Sequence, residues 1–260
     1  MTDTPLDVAH IAMEANPDDD TIRLQFYERL ADSELFLLLE NDAQGDQVEP
    51  RLFDTEDIHL VLVFDREHRL NTFADGPAPY AALSGRSLAE MLDGQDIGLG
   101  VNLGVAPSSI IVPPQALSWL RQTLSDGPEE VAETPEEIDA PKGLPERLIT
   151  GLDTKLAQAA GLARSAYLTT VAYKGGRRSH MLAFIDAVPG SEQTLANSTR
   201  EALVFSGLDA GELDVAFFKA SDPMAAKLAK AGLRFDLPEA QKATPPSPPG
   251  MDPNAPPRLK

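Results

Sequence analysis

Apolar and polar positions along this chain follow two periods, and the switches between them fall at recognisable turn and cap residues. Ile22, Phe26 and Leu30 recur every four residues, with Tyr27 widening the same side, which is the spacing of one helix face. Leu35 to Leu39 and Leu60 to Phe64 are continuous apolar runs of strand length, and Arg51 to Phe53 is a shorter one. Thr4-Pro5-Leu6-Asp7 and Asn16-Pro17-Asp18-Asp19 each combine a capping side chain, a proline suited to the first turn and a carboxylate at the positive end of the helix dipole. Two helices are predicted to start there. Asp65 is placed to cap a further helix running through Phe73. Strands follow near Tyr80 to Leu83, Ile97 to Leu103 and Ser109 to Val112, interleaved with helices at Arg86 to Leu92 and Pro114 to Leu124. Helices interspersed with short apolar strands require a sheet with helical cover.

The pattern restarts further on. Pro145 to Gly161 carries Leu148, Leu152 and Leu156 on one face and ends on a glycine suited to a helix C-cap. Ala166 to Tyr173 and Arg178 to Ala187 flank Lys174-Gly175-Gly176-Arg177, whose glycines tolerate the positive φ of a tight turn, so an antiparallel hairpin is predicted. A helix from Ser191 to Phe205, a strand from Leu213 to Lys219 and a helix opened by Asp222 and Pro223 complete an αββαβα order. The expected fold class is α/β (α+β): two mixed-sheet domains with helical cover, at residues 1–124 and 142–237. Residues 125–141 hold seven acids, three prolines and no base, a self-repelling stretch read as an extended linker. Residues 238–260 are rich in proline and read as a disordered, solvated tail.

Composition narrows the chemistry. The chain has 260 residues and a net charge of -19, from 41 acids against 22 bases, a field that repels nucleic-acid phosphates and anionic lipid headgroups. Neither nucleic acid nor membrane is an expected partner. Cysteine is absent, so disulfides, thiolate nucleophiles and persulfide carriage are excluded. The segment Met1 to Val8 carries Asp3 and Asp7 in place of the basic-then-apolar order of a secretory leader, and a cytoplasmic location is expected.

Among candidate sites, Ser84-Gly85-Arg86-Ser87 precedes a helix, where free amides and a forked cation suit a phosphate or carboxylate. The alternative is an ordinary N-cap with Arg86 in solvent. Asn102 and Ser108 line the same crevice if their strands end beside it. Gly98, Gly100 and Gly104 approach a dinucleotide fingerprint, but a strand occupies the place where its helix should start. His59 and His68 have acidic neighbours without metal-ligand spacing, so neither metal nor cofactor is expected. Lys174, Arg177 and Arg178 at the hairpin tip form the densest basic cluster of an acidic chain, read either as a docking tip for an acidic partner or as solvated charges guarding the turn.

Phe26-Tyr27-Glu28-Arg29-Leu30-Ala31-Asp32-Ser33-Glu34-Leu35, the strand and helix from Val61 to Phe73, Leu83-Ser84-Gly85-Arg86-Ser87-Leu88, and Val101-Asn102-Leu103-Gly104 running to Ile111-Val112-Pro113-Pro114 resemble the N-terminal domain of the bacterial enhanced serine sensitivity protein B (SseB) family. Leu144 to Leu237 is similar to that family's C-terminal domain. These are turn, strand and cap residues rather than catalytic motifs. The resemblance implies a bacterial cytoplasmic protein linked to serine sensitivity, of unsettled biochemical activity, with a rhodanese-type sulfurtransferase as an associated partner. Without cysteine this chain serves sulfur transfer only as an accessory. The expected function is that of a non-catalytic binding or adaptor protein. The alternative is a sensor or enzyme for an amino acid or phosphorylated metabolite, using Ser84, Arg86 and Asn102.

Overall fold

The structure, a computed structural model, describes residues 3–42, 48–55, 58–125, 135–174, 176–208 and 213–239. Its first part opens with helices α1 (Pro5–Ala15) and α2 (Asp20–Asp32). Thr4 and Asp7 close a reciprocal capping box on α1. The second helix begins later than its proline suggests. Asp19 supplies the N-cap, accepting from the amides of Thr21 and Ile22, while Asn16 closes the end of α1 by donating from Nδ2 to Ala12 O at 2.8 Å.

Strands β1 (Glu34–Leu38), β2 (Leu52–Asp54), β3 (His59–Phe64), β4 (Tyr80–Ser84), β5 (Ile97–Val101) and β6 (Ile110–Val112) form one mixed sheet in the order β4-β1-β3-β5-β6, with β2 also on β3. Only β3 and β5 are parallel within it. Helices α3 (Glu67–Phe73), α4 (Gly85–Leu92) and α5 (Pro114–Ser125) complete this part. One sheet face packs Leu35, Leu37, Val61 and Val63 under Leu6, Phe26, Leu30, Leu88 and Leu117 of α1, α2, α4 and α5. The opposite face holds Leu38, Leu60, Leu62 and Phe64 against Leu70 of α3.

The second sheet is built from β7 (Pro135–Asp139), β8 (Ser165–Tyr173), β9 (Arg178–Ile185), β10 (Leu213–Phe218) and β11 (Leu233–Asp236), ordered β10-β9-β8-β11 with β7 on β8. The hairpin β8–β9 pairs antiparallel as the Gly-Gly turn requires, and Gly176 takes φ +88°. β10 runs parallel to β9 because α7 (Glu192–Phe205) carries the chain back across the sheet. This sheet is covered on both faces. Leu148, Leu152 and Leu156 of α6 (Glu146–Gln158) and Leu195 and Leu203 of α7 lie on one side, Ala225 and Leu228 of α8 (Pro223–Ala231) on the other.

Two mixed sheets with helical cover agree with the expected fold class. Three details are corrected. Residues 135–139, assigned from sequence to the linker, form the edge strand β7, and Ile138 packs against the Val171 and Met181 side of the core. An acidic edge is compatible with pairing because Glu136 and Glu137 remain exposed. The strand β11 follows α8 at once and is too short for its alternation to show in sequence. At the start of the expected tail, the carbonyl of Pro238 accepts from the amide of Gly161 at 2.8 Å, beside the buried Leu237, which ties this residue to the second part. The rest of the expected linker, 126–134, and of the tail, 240–260, lies outside the described residues.

The two parts meet through helices. Phe205 of α7 is buried among Ala31, Ala89 and Leu120 of the first part, with its ring 6.5 Å from that of Trp119. Arg200 donates to Thr123 O at 2.7 Å across the same seam.

Candidate functional site

The polar residues of interest fall into two buried clusters. The first lies inside the first part, where α1 and α3 meet the end of β5. Asp7 is 0 % exposed, and Arg69 and Asp65 are nearly as buried. Arg69 grips Asp7 with both terminal nitrogens, at 3.0 and 2.5 Å, and reaches Asp65 at 2.7 Å. The remaining acceptor capacity of Asp7 is taken by the amide of Thr4 and by the amide and hydroxyl of Ser108. Asn102, held in the left-handed region at φ +48°, accepts from the amide of Asp65 and donates to Ser108 Oγ at 2.8 Å. Burial alone would push the Asp7 carboxyl up, but the bonds from Arg69, Ser108 and Thr4 outweigh it and hold the group well below the usual carboxylate range. Asn102 and Ser108, expected beside Arg86, are therefore members of a closed internal network.

The second cluster sits in the seam between the two parts. Lys155 of α6 is 3 % exposed, and its ammonium lies 2.6 Å from Asp32, 3.0 Å from Glu201 and 3.5 Å from Glu28. Arg86 of α4 bridges Asp32 and Glu201 as well, donating to Asp32 at 2.6 Å and to both Glu201 oxygens at 3.1 and 3.2 Å. Asp32 and Glu28 stand four apart on α2, so one helix face aims both at the second part. For Lys155 burial opposes the charge, yet Asp32, Glu201 and Glu28 outweigh it and raise its pKa. Burial raises Asp32 less than Lys155 and Arg86 lower it, so it lies below its ordinary value. For Glu28 burial wins over Lys155, and its pKa is raised.

Around Arg86 the local geometry is that of a cap. Ser84 Oγ accepts from the amide of Ser87, and the amide of Gly85 donates to Ser33 O at 3.0 Å. Gly85 itself is buried, and a Cβ there would lie 1.9 Å from Leu30 O. Glycine is needed for the backbone of α4 to approach α2 so closely. Gly85→Ala is expected to destabilise the fold by about 3 kcal/mol, since α4 must move as a unit. A urea midpoint equal to that of the unchanged chain would contradict this packing.

Beside Arg86, which retains 41 % side-chain exposure, opens a cleft of about 300 Å³ shared by the two parts. Gln158 of α6 and Thr194, Asn197, Ser198 and Glu201 of α7 line it. A larger recess of about 400 Å³ near Leu144, Ile149 and Leu233 has no charged or nucleophilic side chain on its wall.

The hairpin cations turn to separate partners. Arg177 stacks over the Tyr173 ring at 4.3 Å and reaches Asp214 at 3.2 Å, Arg178 lies 4.0 Å from Glu137, and Lys174 is exposed. Gly98 and Gly100 sit within β5, where added Cβ atoms would meet Leu60 and Leu62, so they serve strand packing. Among the described residues no group of three or more His, Asp or Glu side chains could hold a metal ion. Nor, among them, is any helix long and apolar enough to cross a membrane.

Sequence reasoning reads Thr4, Asp7 and Asp65 only as caps and misses Arg69, Lys155 and Glu201. The one available signal is Glu28 with Asp32, inside the stretch that carries the family resemblance. No curated protein and no solved structure matches the chain. The family model described as the SseB protein N-terminal domain matches residues 8–119. That span holds the whole first sheet, Asp65, Arg69, Asn102 and Ser108 of the internal network, and three of the five residues of the seam cluster. Residues 8–119, most of the first part, are therefore similar to the N-terminal domain of the SseB family.

Proposed function

We propose that this chain is a non-catalytic binding protein, an adaptor whose second part is the SseB-like C-terminal domain and which acts in the bacterial cytoplasm on a protein partner. The observation that carries the reading is the seam cluster. Lys155, Asp32, Glu201 and Arg86 satisfy one another, which leaves no activated nucleophile or general base among them, and they fix the two parts on either side of a common cleft. A rigid two-part surface with a polar notch suits recognition, because little ordering is required on binding.

The partner chemistry implied by the family is a rhodanese-type sulfurtransferase, to which a cysteine-free chain adds docking and no sulfur carriage. The test is calorimetric titration of the purified sulfurtransferase of the same host. Ser198→Arg, at the half-buried cleft wall, is expected to weaken binding by about tenfold or more while leaving the melting temperature in place. Absence of binding by the unchanged chain removes the sulfurtransferase, and unchanged affinity in the variant removes the cleft.

A second reading, a small-ligand sensor, is favoured by the uncharged polar lining of Gln158, Thr194, Asn197 and Ser198. An amino acid or phosphorylated metabolite bound there would raise the melting temperature of the unchanged chain and leave that of Ser198→Arg alone.

A further inference from the structure

Among the described residues β4 is an edge strand that pairs only with β1, and it differs from the edge strands β6, β7, β10 and β11. β7 carries Glu136, Glu137 and Asp139, β10 carries Asp214, and β11 carries Arg234 and Asp236. β6 is three residues long and runs into Pro113 and Pro114. Charges, prolines and brevity are the usual guards against edge-to-edge pairing. The stretch Gly76 to Gly85, which contains β4, bears no charged side chain in a chain of 41 acids and 22 bases. Its prolines, Pro77 and Pro79, precede the strand and leave its donors intact.

Register shows which groups are available. Leu39 N bonds Pro79 O and Gly85 N bonds Ser33 O, so the pairs with β1 that exchange hydrogen bonds are those at 79, 81, 83 and 85. The amides and carbonyls of Tyr80 and Ala82 and the amide of Ser84 therefore point away from the sheet, while the carbonyl of Ser84, the N-cap of α4, serves the first turn of that helix. Their side chains share the face of Phe36, and Tyr80, 38 % exposed, stands edge-on to that ring at 5.2 Å. The aromatic row continues through Phe64, the register partner of Phe36, to Phe73 at 5.4 Å and Phe53 beyond it. Rigid aromatic residues next to an unpaired edge are anchors for a docked strand.

We propose that β4 pairs antiparallel with β4 of a second copy of this chain, about a two-fold axis at Ala82. The outward triplet Tyr80-Ala82-Ser84 is symmetric in position about Ala82, so the axis places Ala82 against Ala82 and Tyr80 against Ser84 of the other copy. Charge selects this occupant over a basic foreign strand. A basic partner would be met by acids, which this chain has in abundance, whereas a strand that meets itself must avoid like charges directly opposite. The net charge of -19 on each copy opposes association at long range, so salt strengthens this dimer, while it would weaken a complex with a basic partner.

The test uses the full chain. Sedimentation equilibrium up to about 1 mM protein, at 0.05 and 0.5 M salt, is expected to show a monomer–dimer equilibrium that tightens with salt, of the weak class suited to a short strand pair. Ala82→Pro removes one outward donor from each copy without touching a bond to β1, and is expected to weaken the dimer at least about tenfold at an unchanged melting temperature. Ala82→Cys supplies a covalent check in a chain without cysteine. Opposed residues of a hydrogen-bonded antiparallel pair have Cα atoms about 5.5 Å apart, within disulfide reach. Mild oxidation is expected to give a covalent dimer from Ala82→Cys and not from Glu14→Cys on the exposed side of α1. A chain that stays monomeric throughout, a dimer indifferent to Ala82→Pro, or a monomer that instead binds an extended apolar peptide at β4 overturns the proposal.

Discussion

Lys155→Met is expected to lower stability by about 3–5 kcal/mol, because it strands Asp32, Glu201 and Glu28 in a seam that water reaches poorly. For a chain of this size that corresponds to a fall in melting temperature on the order of 10 °C. Arg86 cannot compensate, since it is already bonded to Asp32 and Glu201. The effect is specific to leaving acids unpaired. Adding Glu201→Gln to Lys155→Met is therefore expected to restore part of the loss, a non-additivity of about 1–3 kcal/mol between groups 3.0 Å apart. Because the cluster joins the two parts, the Lys155→Met melt is expected to split into two transitions, read by differential scanning calorimetry. A single transition with a loss under about 1 kcal/mol would mean that the seam is solvated and Lys155 is replaceable.

Arg69→Met is expected to have an effect of similar size, about 3–5 kcal/mol at neutral pH, and a distinct pH dependence. In the unchanged chain the Asp7 carboxyl is held below its unfolded value. Its contribution is then complete above about pH 4 and is lost as pH falls toward the folded pKa. Without Arg69 the strongest of the groups that oppose burial is gone, and the Asp7 pKa is expected to rise above the unfolded value although Ser108 and Thr4 still bond the carboxylate. The native state of the variant then binds the extra proton between those two values, so its stability falls as pH rises through that window. The deficit of Arg69→Met is accordingly expected to shrink between pH 7.5 and pH 4.5 in urea melts. A deficit independent of pH would assign the loss to packing of the Arg69 side chain and not to its charge.

The site is legible in proportion to how local its bonds are. Thr4 with Asp7, and Ser84 with Ser87, are capping pairs three residues apart, and both are readable from residue type and spacing. Residue type also singles out Arg86 as a cation at a helix start, but the anions it meets are its own Asp32 and Glu201. Position near strand or helix ends groups Asn102 and Ser108 with Arg86. The fold instead turns Asn102 inward through its left-handed backbone and places Ser108 on Asp7.

Periodicity, caps and the Gly-Gly turn are enough to set the order of the helices and of all strands but β7 and β11, the hairpin and the class of both sheets, because each depends on residues within a few positions of one another. The strand β7, the parallel placement of β10 and the two buried charge clusters are decided by the tertiary structure. Arg69 and Asp7 are separated by 62 residues, and Lys155 and Asp32 by 123. In sequence Asp7 reads as a helix cap, and Arg69, Lys155 and Asp32 have the appearance of solvated helix faces. Burial is conferred on a side chain by other elements packing over it, and a charge survives there only when the fold delivers its partner to the same place.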